Sequence, residues 1–185
     1  MTKAFADGTG MDSPARAREL RRWLALYAKL QVGDASWAYR SFAQLVSDHG
    51  FYQQPSPWVH DGLQRPGQCF STASQWAERA GWTYVEGYVL VPSAAPFSCF
   101  EHAWCLTDQG VADPCLPDGT AVGYVGIPLT DSFRRQQQAL RATHAVFVAD
   151  PVNPLAGINE DVLRAGLPSQ AVAGHGPGPR SAASL

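Results

Sequence analysis

Two kinds of periodicity follow one another along the chain, and their order limits the folds that it can adopt. Before residue 82 the apolar residues recur at intervals of three and four, which is typical of amphipathic helices. From residue 82 to residue 129 the chain instead holds short runs rich in strand-forming residues, separated by turn-forming residues. Helices that precede strands, rather than alternating with them, predict an α+β domain with N-terminal helices packed on a mostly antiparallel sheet.

The same patterns predict the individual elements and the domain boundaries. Helices are predicted at 13–31, 34–50, 69–79 and 131–142, with one more helical turn at 159–167; strands are predicted at 82–91, 99–107, 110–115, 121–129 and 143–149. The aromatic-rich segment 51–67 contains three prolines and is predicted to be irregular. Residues 1–12 are expected to form a flexible N-terminus, residues 13–167 a single catalytic domain and residues 168–185 a disordered tail.

Composition excludes several classes of function. With a net charge of -2, the chain has no basic patch, so we expect no nucleic-acid partner. No apolar run reaches the ~18 residues that a membrane span needs, and the N-terminus has no signal-peptide pattern, so we expect a cytoplasmic protein without a membrane partner. No cofactor is indicated, and the oligomeric state stays open.

Cys69 is the candidate nucleophile because of its predicted position at the start of a helix. The unpaired N–H groups and the partial positive charge of a helix N-terminus stabilise a thiolate and can also bind an oxyanion. Gly67 allows a sharp turn just before it. The alternative is a buried core thiol, since cysteine is among the most buried residue types.

His102 and Asp113 are the candidate base and its orienting acid. A hairpin turn at 108–110 would pair Thr107 with Gly110, which brings Asp113 diagonally across from His102 on the same face, within side-chain reach. A slip of one residue would move Asp113 to the other face, so the hypothesis depends on this register. The alternative is a buried structural His–Asp pair.

A zinc site is the competing interpretation of the same segment. Cys99, His102, Cys105 and Cys115 have the spacing C-x2-H-x2-C-x9-C. If residues 100–106 form one strand, alternation turns both Cys99 and Cys105 away from His102. We therefore predict no metal.

GQCFSTA, then EHAW, a short turn and VADPC together resemble the transglutaminase-like branch of the papain-like cysteine enzymes. The resemblance covers about residues 64–130. It implies a papain-like, transglutaminase-like core and a triad in which Cys69 is the nucleophile, His102 the base and Asp113 the orienting acid. The expected function is a cysteine hydrolase or acyltransferase (peptidase, amidase, deamidase or transglutaminase-like) that forms a thioester with a small amide or a peptide or protein side chain.

Other residues are candidates for binding substrate: Gln64, Gln68, Trp104, His60 and Trp58. The two glutamines lie near the spacing of an oxyanion donor, and Trp58 and His60 lie in a loop that could line a groove or merely be pinned to the core. Two other functions stay open. One is an inert binding module for a peptide or aromatic ligand; the other is a CoA-dependent N-acyltransferase, which also uses a Cys-His-Asp triad.

Overall fold

The computed structural model describes residues 13–30, 33–58, 67–150 and 153–174. Its helices are α1 (Ser13–Leu30), α2 (Phe42–His49), α3 (Cys69–Ala80), α4 (Asp131–Arg141) and α5 (Glu160–Ala165). Its strands are β1 (Phe51–Gln53), β2 (Thr83–Leu90), β3 (Cys99–Thr107), β4 (Gly110–Ala112) and β5 (Gly123–Pro128). The predicted α+β class, with N-terminal helices and an antiparallel sheet, is confirmed.

The strands form one antiparallel sheet in the order β1-β5-β2-β3-β4. Side chains alternate between its faces. One face contributes Tyr84, Tyr88, Cys99 and Cys105 to the main core, which also contains apolar residues of the helices. The other face holds a smaller apolar cluster that includes Val85, Val89, Trp104 and Tyr124. In the described part of the chain, no helix is both long and apolar enough to cross a membrane.

Helix α2 begins later than the sequence predicted. The Asp34 carboxylate accepts the Ser36 backbone N–H at 2.8 Å and its hydroxyl at 2.6 Å, so this residue stabilises a turn rather than a helix start. Ser41 is the actual N-cap: its hydroxyl accepts the Gln44 backbone N–H at 3.0 Å. The predicted helix at 34–50 is therefore corrected to an eight-residue helix that begins at Phe42.

The predicted strand at 143–149 is wrong, although most of this segment is buried. Its backbone bonds to a side chain instead of to a neighbouring strand. The Glu86 carboxylate, fully buried on β2, accepts the backbone N–H groups of residues 146–148 at 2.7 to 3.1 Å. It also accepts the Tyr84 hydroxyl at 2.9 Å. A single carboxylate thus satisfies donors that a sheet ladder would otherwise satisfy.

The start of the aromatic-rich segment 51–67 is regular, contrary to the prediction. Residues Phe51–Gln53 form β1 and pair with β5, with Gln53 opposite Tyr124. The prolines come only afterwards, at positions 55 and 57 in the described part of the segment. Proline removes a ladder donor, so the strand ends before them.

The predicted tail boundary at residue 168 is also corrected. Residues Ser169–Ala171 form a short 3-10 helix, and Ala171 is completely buried. Its carbonyl accepts the Thr130 backbone N–H at 2.9 Å, just before α4. Hydrogen bonding to the backbone beside β5 orders this segment despite its small and polar composition. Residues 1–12 and 175–185 lie outside the described residues.

Candidate active site

Cys69 is the first residue of α3. The preceding Gly67 has φ of 83°, in the left-handed region that favours glycine, and this turn directs the chain into the helix. Gln68 at the N-cap position makes no side-chain capping bond, and the first turn carries no acidic residue. The N–H groups of this turn are therefore left without a side-chain cap, and no carboxylate in it opposes an anion. The Cys69 side chain is mostly buried, with 8% of its surface exposed.

The predicted hairpin register brings His102 and Asp113 together. Thr107 pairs with Gly110 and Leu106 with Val111, as the sequence analysis required. His102 Nε2 lies 2.7 Å from Asp113 Oδ2, and both residues are buried. Because β4 pairs only with residues 105–107 of β3, it does not extend along β3 as far as His102.

After β4 the backbone turns so that its N–H groups point at the side chain of Asp113. The strand predicted at 110–115 therefore ends at Ala112. Asp113 Oδ1 accepts the backbone N–H groups of Cys115 at 2.9 Å and Leu116 at 3.2 Å. Its Oδ2 accepts His102 Nε2 and, at 3.0 Å, the Tyr124 hydroxyl. The charges and hydrogen bonds of these partners outweigh the effect of burial and lower the pKa of Asp113, so the group is a carboxylate at neutral pH.

His102 lies between the carboxylate and the thiol. Burial by itself would lower its pKa, but the charge of Asp113, the hydrogen bond to Asp113 and a hydrogen bond with Cys69 together raise it above the usual histidine range. Since Nε2 faces Asp113, Nδ1 is the ring nitrogen left for the Cys69 thiol. This arrangement favours imidazolium, which is the partner that a thiolate requires.

Trp104 packs on His102 and has no surface open to solvent, which corrects its assignment as a substrate contact. It is completely buried, and its ring stacks on the imidazole with centroids 6.2 Å apart and an interplanar angle of 18°. Its Nε1–H donates to Gln53 Oε1 at 2.7 Å. Gln53 and Tyr124 therefore belong to the site, yet sequence reasoning missed both. They come from β1 and β5, and only the sheet order shows that they lie near the histidine.

The remaining candidate substrate contacts differ in their surroundings. The Trp58 ring packs edge-on against Trp76 and Trp82, with centroids 5.4 and 5.6 Å away, and its backbone N–H donates to the Asp118 carboxylate. This favours the interpretation that the loop is pinned to the core. Gln68 is exposed next to Cys69. Gln64 and His60 lie outside the described residues.

The other thiols differ from Cys69 in their surroundings. All four cysteines are free. Burial is the largest cause that raises the pKa of Cys99, Cys105 and Cys115 to about 12, so these three are thiols at neutral pH. Among the described residues, no three His, Cys, Asp or Glu side chains are grouped so that they could hold a metal ion.

Comparison with protein families, with curated proteins and with solved structures finds no match to this chain.

Replacing Asp113 with alanine should weaken turnover by about ten- to a hundredfold, which is less than the loss of Cys69 or His102. The remaining ring contacts from Trp104 and Phe100 still hold the imidazole. Without the carboxylate, the pKa of His102 should fall, so the alkaline limb of turnover, where the imidazolium acid is lost, should move to lower pH. Asp113→Asn keeps the acceptor for the Cys115 N–H and serves as the control for folding. An alkaline limb unmoved in both variants would show that Asp113 does not act through His102.

Proposed function

We propose that this chain is a cysteine hydrolase or acyltransferase that acts on amide-like carbonyl substrates through a thioester. The observation that carries the proposal is the hydrogen-bonded His102–Asp113 pair, whose imidazole also interacts with the thiol of Cys69 at a helix N-terminus. A structural His–Asp pair would not require a thiol at this position. Along the chain, the helix that begins with Cys69 comes first, then the strand with His102 and then the turn with Asp113. This order supports a papain-like, transglutaminase-like core.

The proposed reaction has two halves. First, the Cys69 thiolate attacks the carbonyl carbon, and the uncapped N–H groups at the start of α3 stabilise the oxyanion. The His102 imidazolium then donates its proton to the leaving group, the bond to that group breaks, and a thioester with Cys69 remains. In the second half, neutral His102 takes a proton from water or an amine, which attacks the thioester and releases Cys69.

The experiment that tests this function is a pH series of iodoacetamide labelling on the native protein, with the modified cysteines located by mass spectrometry. We expect Cys69 to react at neutral and mildly acidic pH, well before Cys99, Cys105 or Cys115, because burial keeps those three protonated.

A Cys69 that does not react with iodoacetamide would contradict the proposal. If Cys69 stays inert while another cysteine reacts, the proposed enzyme function is wrong, and an inert binding module becomes the better interpretation. If Cys69 reacts as expected, mass spectrometry of the protein incubated with activated esters and amides should detect an acyl group on Cys69. Its release by water or by added amines then separates hydrolysis from transfer.

A further inference from the structure

An open cleft lies on the helix-covered side of the sheet, at the N-terminal end of β3. Its volume is about 330 Å³, and it is lined by Tyr27, Tyr88, Phe97, Cys99, Phe100 and Glu101. We call this the aromatic cleft. It is built from α1, β2 and β3 and from the loop before β3, so different parts of the fold converge on it.

The lining combines aromatic rings with negative charge. Phe97 leaves 71% of its surface exposed, so its ring is the accessible one. Tyr88 forms the floor of the cleft, stacked between Tyr27 and Phe42 with centroids 5.6 and 5.3 Å away. The Tyr88 hydroxyl has its pKa raised by burial and then by the nearby Glu101 carboxylate. The faces of aromatic rings attract cations, and a carboxylate beside them adds a direct charge interaction. Such a lining suits an organic cation better than an anion or a neutral polar group.

The position of the cleft relates it to Cys69. The Cys105 thiol donates to the Ala73 carbonyl at 3.3 Å, and Cys69 lies close enough to His102 to raise its pKa. Helix α3 therefore runs in the same direction as β3, and its N-terminus points toward residues 99–101. At about 3.4 Å per strand residue, the cleft begins roughly 3–10 Å from the level of His102. Phe100 borders the cleft on β3, and its ring lies on the opposite face of the sheet, where it contacts the His102 imidazole with centroids 6.1 Å apart.

We propose that the aromatic cleft binds an alkylammonium or guanidinium group on the acyl part of the substrate, the part that stays on Cys69 after the leaving group departs. The inference rests on the proposed function. The leaving group must lie against His102, which protonates it, whereas the cleft lies ahead of the helix that carries Cys69. Glu101 and the exposed ring of Phe97 determine the preference for a cation.

The test uses thiol reagents that need no turnover. Methanethiosulfonates transfer their RS group to a thiolate and release methanesulfinate, so they place R where the acyl group would lie. The reagents are the 2-(trimethylammonium)ethyl, methyl and 2-sulfonatoethyl compounds, and the measured quantity is the rate at which each modifies Cys69. In the wild type we expect the cationic reagent to exceed the neutral one by about tenfold and the anionic one to be slowest, as ~1.4 kcal/mol of attraction would give.

Two variants test whether the preference for the cationic reagent comes from the aromatic cleft. Glu101→Gln should lower the cationic-to-neutral ratio about three- to tenfold, and Phe97→Ala should lower it about two- to threefold. Glu160→Gln removes an exposed carboxylate on α5 and should leave the ratio unchanged. The rate with the neutral reagent checks that each variant is folded and that its triad is intact.

A ratio that is the same in the wild type, Glu101→Gln and Phe97→Ala overturns the proposed cation site, even if Cys69 is reactive. A cation preference that Glu160→Gln removes as strongly as Glu101→Gln also overturns it, because the effect would then come from the overall charge. Failure of the proposed function looks different: Cys69 would be inert toward the neutral reagent as well.

Discussion

Replacing His102 with alanine is expected to slow the alkylation of Cys69 by about 10²- to 10³-fold at neutral pH, within the usual contribution of a positioned acid or base. The imidazole holds the thiol proton and supplies the positive partner of the thiolate. Without it, Cys69 is a mostly buried thiol that has lost its charged partner. The measurement is the second-order rate constant for iodoacetamide at pH 7, with the product on Cys69 quantified by mass spectrometry.

His144→Ala is the matched control, because this histidine is exposed and lies outside the triad. In this variant, iodoacetamide should alkylate Cys69 at the same rate as in the wild type. Turnover of any substrate found should be lost in His102→Ala and in Cys69→Ala or Cys69→Ser while the folded state persists. If Cys69→Ala retains activity, or His102→Ala alkylates at the wild-type rate, the mechanism proposed here is wrong.

Replacing Glu86 with alanine is expected to reduce the free energy of unfolding by at least about 4 kcal/mol. The change leaves three buried backbone N–H groups without an acceptor and removes the shorter of the two hydrogen bonds that the Tyr84 hydroxyl donates. Each such group costs about 1–3 kcal/mol, and the lost side-chain volume adds a cavity. For a chain of this size the midpoint of thermal unfolding should fall by about 8–16 °C. Calorimetry or circular dichroism measures this midpoint.

Glu86→Gln separates the hydrogen bonds of Glu86 from its charge. It keeps one acceptor oxygen, so it should lose less stability than Glu86→Ala. Complete burial raises the pKa of Glu86 to about 7, although its four donors favour the carboxylate. The folded wild type therefore holds a proton that the unfolded chain releases near pH 4.5, and its stability falls as the pH rises toward 7.

Glutamine does not titrate, so the stability difference between the wild type and Glu86→Gln should shrink from pH 5 to pH 8. A Glu86→Ala variant within about 1 kcal/mol of the wild type would contradict this account of the 143–149 segment. Glu160→Gln, on the exposed face of α5, should unfold like the wild type.

Local patterns predicted the elements that carry the candidate triad. The predicted strand 99–107 matches β3, and the predicted helix 69–79 differs from α3 by one residue. The turn residues also predicted the pairing of Thr107 with Gly110. Each of these features depends on neighbours in sequence, through periodicity, glycine conformation or a short turn.

Predictions failed where a distant side chain competes with the local pattern. The apolar run at 143–149 resembles a strand in composition, but Glu86, about 60 residues earlier, binds its N–H groups. Nothing in the run itself indicates that partner. Trp104 was predicted to contact substrate because it flanks His102, whereas the sheet buries it beneath the imidazole.

The sequence by itself determined the α+β class, the helix that begins at Cys69 and the strand and turn that place His102 near Asp113, because all of these follow from short-range preferences. Only the tertiary structure decided that the hydroxyl of Tyr124 from β5 also donates to Asp113. It also decided that Gln53 from β1 accepts the Nε1–H of Trp104, the ring stacked on His102. The aromatic cleft likewise exists only where α1 meets β2 and β3. The physical reason is that strand order and helix packing depend on long-range burial, which residue spacing along the chain does not encode.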